Sequence, residues 1–183
     1  TIEGERHALP EPFLVIATQN PIEFHGTYPL PEAQLDRFLM QINLGYPAPE
    51  YEISMLHAQA QSHPVDALTP VITQTDIVAM QFKVRSVTVS DPVSRYIVNI
   101  VNATRGDARL KAGVSPRGSL MLFRAAQASA FCAGRNYVLP DDVQRLAVPV
   151  LAHRIVLTSK AKYGGNGKVE VIADVINAVK VPT

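Results

Sequence analysis

The spacing of hydrophobic residues changes once along the chain, near Gly45. Before that residue, an unbroken apolar run at 13–17 predicts a strand buried on both faces, and the alternation of apolar and polar residues over 40–44 predicts a half-buried strand. A loop rich in proline and glycine and a short helix over 32–38 lie between the two strands. The first strand is typical of a parallel sheet in an α/β protein.

Beyond the Pro-rich break at 45–49, apolar residues recur at the spacing of helices. Asp91 and Ser115 are each followed by proline and have the residue types of helix N-caps, while Thr73 and Asp76 match a capping box. The predicted helices run over 50–61 and 73–83, begin near Asp91, Ser115 and Pro140, and end with one over 169–179.

These patterns predict a mainly helical protein of two domains. An α/β part covers 1–47, and an all-helical domain covers 48–183. Two of the helices have predicted buried faces. One face consists of Val93, Ile97, Ile100, Val101 and Thr104, and the other of Leu120, Phe123, Ala126, Ala130 and Phe131.

Composition and charge exclude several classes of partner. A net charge of +1 over 183 residues gives no general attraction to nucleic acid, and the three lysines around 160–168 make only a weak basic patch. No apolar run approaches the roughly 20 residues of a membrane-spanning helix. The single cysteine, Cys132, has no partner for a disulfide; we expect it in the core and the protein in the cytoplasm. The five histidines show no metal-ligand spacing.

Three residues are candidates for chemistry with phosphate. Asn20 follows the first predicted strand, where an amide can orient water; capping of a turn is the alternative. Arg37 ends the short helix and could reach a phosphate, or pair with Asp36 or Glu32. Arg117 lies just inside a helix start, where a cation costs a few tenths of a kcal/mol unless an anion binds there.

The longer motifs identify a family. ATQNP at 17–21, GTYPLPEAQLDRF at 26–38, GYP at 45–47, GVSPR at 113–117 and LPDDV at 139–143 resemble the MoxR family of bacterial AAA+ ATPases over nearly the whole chain. The resemblance implies the last strands of a P-loop core followed by the helical AAA+ lid.

The resemblance also implies roles for the three candidates. Asn20 matches sensor 1, which detects the γ-phosphate of ATP. Arg37 matches the arginine finger, offered in trans to the nucleotide of the next subunit in a homo-oligomeric ring, typically a hexamer. Arg117 matches sensor 2, which ties the lid to the nucleotide state. The implied function is chaperone-like remodelling of a client protein, such as one with a von Willebrand factor A domain.

The chain departs from this family by omission. No GxxxxGK[ST] loop occurs, and in the glycine run at 164–168 Val169 stands where the motif needs Ser or Thr. We therefore expect the C-terminal portion of such an ATPase, using ATP and Mg²⁺ only in the full-length protein and holding neither tightly on its own. The alternatives are a stand-alone helical interaction module and a subunit related to the ATPase of magnesium chelatase.

Overall fold

The structure is a computed structural model that describes residues 3–19, 30–60 and 63–182. Its residues form two compact units. Unit 1 consists of Thr1–Leu14 and Ile42–Met80, and unit 2 of Val15–Gln41 and Gln81–Thr183. The segment 15–41 therefore belongs to the unit that contains most of the helices. The domain boundary at residue 47 stays a prediction.

Helices dominate the described residues, as predicted. Two short strands, β1 (Leu110–Ala112) and β2 (Val156–Leu157), pair antiparallel with Leu110 opposite Leu157. Short 3₁₀ turns cover Pro64–Ala67 and Ala152–Arg154. The α-helices are α1 (Glu32–Leu35), α2 (Pro49–Ala58), α3 (Gln74–Arg85), α4 (Asp91–Gly106), α5 (Pro116–Cys132), α6 (Pro140–Leu151), α7 (Ser159–Tyr163) and α8 (Lys168–Ala178).

The core of unit 2 lies among α4, α5, α6 and α8. All five residues of the face predicted for α4, from Val93 to Thr104, are buried. The capping box predicted for α3 is also present, because Thr73 N–H donates to Asp76 Oδ2 at 2.9 Å and Asp76 N–H donates to Thr73 Oγ1 at 3.1 Å. These helices form where the sequence signals predict them.

The two predicted strands are wrong within the described residues. Neither 13–17 nor 40–44 forms a strand, and Ile16 is 80% exposed. A strand is stable only beside hydrogen-bonded neighbours. In the described part of the chain these segments have no strand neighbour; Gln41 N–H instead donates to the Pro149 carbonyl at 2.8 Å. The apolar pattern of both segments is that of a strand, but the strand pairing that it needs does not occur among residues 3–19, 30–60 and 63–182.

Three smaller predictions need correction. The N-cap of α4 is Ser90 and not Asp91. In α5 the buried leucine is Leu122, whereas Leu120 is 54% exposed, because α5 packs through a neighbouring stripe of small residues. Cys132 is exposed at the end of α5 and not in the core. Periodicity could not separate the two stripes, since both are apolar.

None of the described helices is both long enough and apolar enough to cross a bilayer.

Candidate functional site

The amino terminus of α5 is held against α4 by the loop that precedes it. Val114 is buried; its N–H donates to Thr104 Oγ1 at 3.0 Å, and its carbonyl accepts from Arg105 Nε at 2.9 Å. A Cβ on Gly113 would lie 2.7 Å from the Thr104 carbonyl oxygen, so only glycine fits this approach. The loop therefore fixes where α5 begins.

Arg117 follows Pro116, the first residue of α5, at this fixed helix start. Its side chain is 49% exposed, and its Nη1 lies 3.6 Å from Asp36 Oδ2. In the first helical turn Pro116 has no N–H and the Gly118 N–H donates to the Ser115 carbonyl at 2.9 Å, so what remains for a ligand is mainly the positive end of the helix dipole. A half-exposed guanidinium at that end favours binding of an anion.

Asp36 connects the short helix α1 to the start of α5. Its carboxylate lies 3.4 Å from Ser115 Oγ, 3.6 Å from Arg117 Nη1 and 3.5 Å from Arg154 Nε. We call Asp36, Ser115, Arg117 and Arg154 the Asp36 cluster. It contains one carboxylate and two guanidinium groups, so its net charge is positive.

Arg154 is the buried member of the cluster, with a side chain that is 0% exposed. Its Nη1 donates to the Val150 carbonyl at 2.8 Å, and its Nη2 donates to the Phe38 carbonyl at 2.5 Å. His153 Nε2 lies 3.3 Å from the same Phe38 oxygen and also contacts Arg154 Nη1. Arg154 thus joins the end of α6 to the turn that follows α1.

Burial controls the protonation of this pair. It lowers the pKa of Arg154, Asp36 opposes that shift and Arg117 adds to it; the guanidinium nevertheless keeps its proton. Burial also lowers the pKa of His153, and the charge of Arg154 lowers it further. The imidazole is therefore neutral at physiological pH.

Arg37 lies between two anchored neighbours. The turn after α1 is closed by hydrogen bonds from Arg37 N–H to the Gln34 carbonyl at 3.0 Å and from Phe38 N–H to the Leu35 carbonyl at 3.1 Å. The side chain of Arg37 is exposed, and among the described residues it pairs with neither Asp36 nor Glu32. Asp36 is engaged elsewhere, so the salt bridge left open by the sequence does not form.

Asn20 lies outside the described residues, so its predicted role stays a prediction. Of the three candidates, the structure brings the turn that carries Arg37 and the side chain of Arg117 to the same carboxylate.

Phosphate and magnesium differ in how well they fit these residues. The excess positive charge of the Asp36 cluster and the exposed guanidinium at the start of α5 suit a phosphate group. Magnesium needs several oxygen ligands. No group of three or more metal-binding side chains occurs in the part of the chain that the structure describes. The described residues therefore offer positive charge that suits a phosphate, but no cluster that would hold a metal ion through three side chains.

Sequence reasoning missed Arg154 and Gly118. Arg154 reads as an ordinary basic residue after a helix, and only its contacts with the turn at Phe38 reveal its place. Gly118 lies buried in α5, where an added Cβ would be 3.1 Å from Arg154 Cδ and 2.2 Å from Val114 Cγ1. The sequence did contain a signal for Gly118: glycine is unfavourable within a helix, so its presence in the first turn indicates a close contact.

Two protein-family models match parts of this chain. Residues 102–175 match the AAA lid domain, and residues 1–40 match the ATPase family associated with various cellular activities. These matches contain Arg117 and Arg37, respectively. The chain thus contains an AAA+ lid and a small part of an AAA+ core, and the fold class predicted from the sequence is confirmed.

Two relatives and a solved structure show which AAA+ proteins this chain resembles. The chain is 47% identical to the uncharacterized protein YeaC of Bacillus subtilis over 182 residues, covering 100% of this chain and 57% of that protein. It is 39% identical to Chaperone MoxR1 of Mycobacterium tuberculosis over 191 residues, covering 100% and 50%. A crystal structure of a putative ATPase from Cytophaga hutchinsonii superposes with a TM-score of 0.91 at 34% identity, covering 100% of this chain and 58% of that one.

The chain belongs to the MoxR family of AAA+ proteins. It spans about half the length of the curated relatives that it matches.

Proposed function

We propose that this chain contributes the lid and the arginine finger of an ATPase that remodels or matures a client protein. The observation that carries the proposal is the Asp36 cluster, in which the carboxylate next to Arg37 also contacts Arg117. Both arginines are exposed to solvent, and the cluster retains positive charge. Family membership supplies the reaction, hydrolysis of ATP.

The two arginines act on phosphate in this proposal. Arg117, at the positive end of the α5 dipole, binds a phosphate oxygen and so links lid position to the bound nucleotide. Arg37 projects from an anchored turn toward the nucleotide of the neighbouring subunit and stabilises charge that develops on the transferring phosphoryl group. Asn20 orients the attacking water. ATP supplies the phosphoanhydride bond that water cleaves, and Mg²⁺ would neutralise charge on its phosphates when bound.

Assembly follows from the role of Arg37. An arginine finger that acts in trans needs a neighbour, so we propose a homo-oligomeric ring, typically a hexamer. A relative at 39% identity is named Chaperone MoxR1, which supports remodelling of a client protein as the output. A client with a von Willebrand factor A domain is the partner that the family resemblance favours.

The test measures ATP hydrolysis by the complete product of the gene. Arg37→Ala should lower kcat by about 10³-fold or more, the usual effect of losing an arginine finger. Arg117→Ala should weaken ATP binding by about 10- to 100-fold, since one charge-assisted hydrogen bond to phosphate contributes about 1.5–3 kcal/mol. Arg95→Ala, an exposed arginine of α4, is the matched control and should leave both values unchanged.

Two outcomes would contradict the proposal. Wild-type turnover in Arg37→Ala would remove the finger from the mechanism. ATP hydrolysis by the 183-residue chain alone, or micromolar ATP affinity of that chain, would contradict the expectation that the phosphate loop must come from elsewhere.

A further inference from the structure

We propose that Arg154 is a positioning residue for Arg37, fixing the turn that carries the finger to the carboxyl end of α6. The inference rests on the proposed function, because it gives Arg37 the role of the finger. It adds a residue whose own side chain is buried and never meets the nucleotide.

The contacts of Arg154 lie on both sides of Arg37 in the sequence. Its Nη2 donates to the carbonyl of Phe38 at 2.5 Å, and its Nε lies 3.5 Å from the carboxylate of Asp36. Its Nη1 donates to Val150 at 2.8 Å, which ties the guanidinium to α6. One rigid, planar group thus holds the residue before Arg37, the residue after it and a helix end.

A second attachment lies three residues after Phe38. Gln41 N–H donates to the Pro149 carbonyl at 2.8 Å, one residue before the carbonyl that Arg154 uses. The chain from Asp36 to Gln41 is therefore attached to α6 at both ends. Arg37 is the exposed charged residue between these attachments.

The geometry selects arginine over lysine at position 154. The fork of a guanidinium can donate to two carbonyls while its Nε faces a carboxylate, whereas an ammonium group offers one point of charge. Arg154→Lys therefore keeps the charge but loses part of the attachment.

Small displacements of Arg37 are expected to lower the rate of ATP hydrolysis strongly. A shift of about 1 Å in a positioned catalytic group can cost about 10²-fold in rate. Arg154→Lys should lower kcat by about 10- to 100-fold. It should leave KM for ATP near the wild-type value, because a finger acts mainly in the transition state.

The experiment is a double-mutant cycle of Arg154→Lys and Arg37→Ala, with ATP hydrolysis by the complete gene product as the readout. If Arg154 acts through Arg37, the double variant is no slower than Arg37→Ala alone. Arg135→Lys is the matched control: it weakens a comparable ion pair, with Asp142 at 2.7 Å, away from the finger, and should leave kcat unchanged.

Hydrogen exchange gives a readout that does not depend on activity. The amide of Gln41 should exchange faster in Arg154→Lys, because its attachment to α6 is loosened. The amide of Val138, which donates to the Thr88 carbonyl at 3.0 Å, is the internal reference and should not change. If Arg154→Lys does not fold, Asp36→Asn removes the facing carboxylate and takes its place in both measurements.

The outcomes separate this inference from the proposed function. An unchanged kcat in Arg154→Lys, or an equal fall in the Arg37→Ala background, would overturn the positioning role while leaving the finger in place. Wild-type activity of Arg37→Ala itself would overturn the proposed function and this inference with it. A kcat effect that disappears in the Arg37→Ala background, together with faster exchange at Gln41, supports it.

Discussion

The substitution Gly118→Ala should change stability in two opposite ways, through helix propensity and through a steric clash. Gly118 is the third residue of α5, where replacing glycine by alanine gains up to about 1 kcal/mol of helix propensity. The added Cβ, however, would lie 2.2 Å from Val114 Cγ1 and 3.1 Å from Arg154 Cδ. Val114 is buried, so its side chain has little space into which to move. Overpacking of this kind costs about 1–3 kcal/mol.

The clash outweighs the gain in propensity, so we expect Gly118→Ala to lower the free energy of unfolding by about 1 kcal/mol, the mean overpacking cost less the propensity gain. Urea denaturation followed by far-UV circular dichroism measures this change. Gly106→Ala is the matched control, since Gly106 ends α4 and a Cβ there would meet nothing within 4 Å. That variant should be as stable as the wild type or more so. Equal stability of the two variants would refute the close packing of Gly118 against Val114 and Arg154.

Three further predictions concern the free energy of unfolding measured by urea denaturation. Asp142→Ala should lower it by about 3 kcal/mol, because an ion pair and a helix cap lose their buried carboxylate. Exposed Asp141→Ala should lower it by less than about 0.5 kcal/mol, and similar losses in the two variants would contradict this. Leu122→Ala should lower the free energy of unfolding by about 2–5 kcal/mol, and exposed Leu120→Ala should lower it far less. Equal losses would show that Leu122 is not in the core. The lowered pKa of His153 means that the folded state binds fewer protons than the unfolded one. Stability should therefore fall as pH drops through the ordinary value of 6.5 and level off below the folded pKa, a fall that His153→Gln should reduce.

Asp142 also shows how a motif can serve structure. Burial alone would raise its pKa, but hydrogen bonds from Arg135, the Leu139 N–H and Ser129 outweigh burial and leave the pKa below its ordinary value. The carboxylate stays charged and joins the start of α6 to α5 and to the loop between them. The LPDDV motif used to identify the family therefore stabilises the lid.

Local signals in the sequence predicted the helices well. Proline after a capping residue, the Thr73–Asp76 box and the spacing of apolar residues in α4 each describe interactions within one element, which a sequence displays directly. The strands at 13–17 and 40–44 were mispredicted because a strand depends on partners elsewhere in the chain. The stripe of α5 was misassigned because small residues also pack in cores.

The candidate site was predictable only in part. Arg37 and Arg117 were identified from motifs, and the structure adds that both adjoin Asp36. Arg154 could not be identified, since its contacts with Phe38 and Asp36 span more than 110 residues of sequence. Only the folded chain brings them together.

The hydrogen bonds at the end of α6 should make residues 36–41 attach to that helix cooperatively. Carbonyls in the last turn of a helix have no partner within the helix, and those of Pro149 and Val150 are satisfied by Gln41 and Arg154. Pulling the segment away would leave the Pro149 carbonyl without the Gln41 N–H and the buried Arg154 Nη2 without the Phe38 carbonyl, at a cost of about 1–3 kcal/mol each. Partial detachment is therefore unfavourable, and the segment should bind or release α6 as one cooperative step.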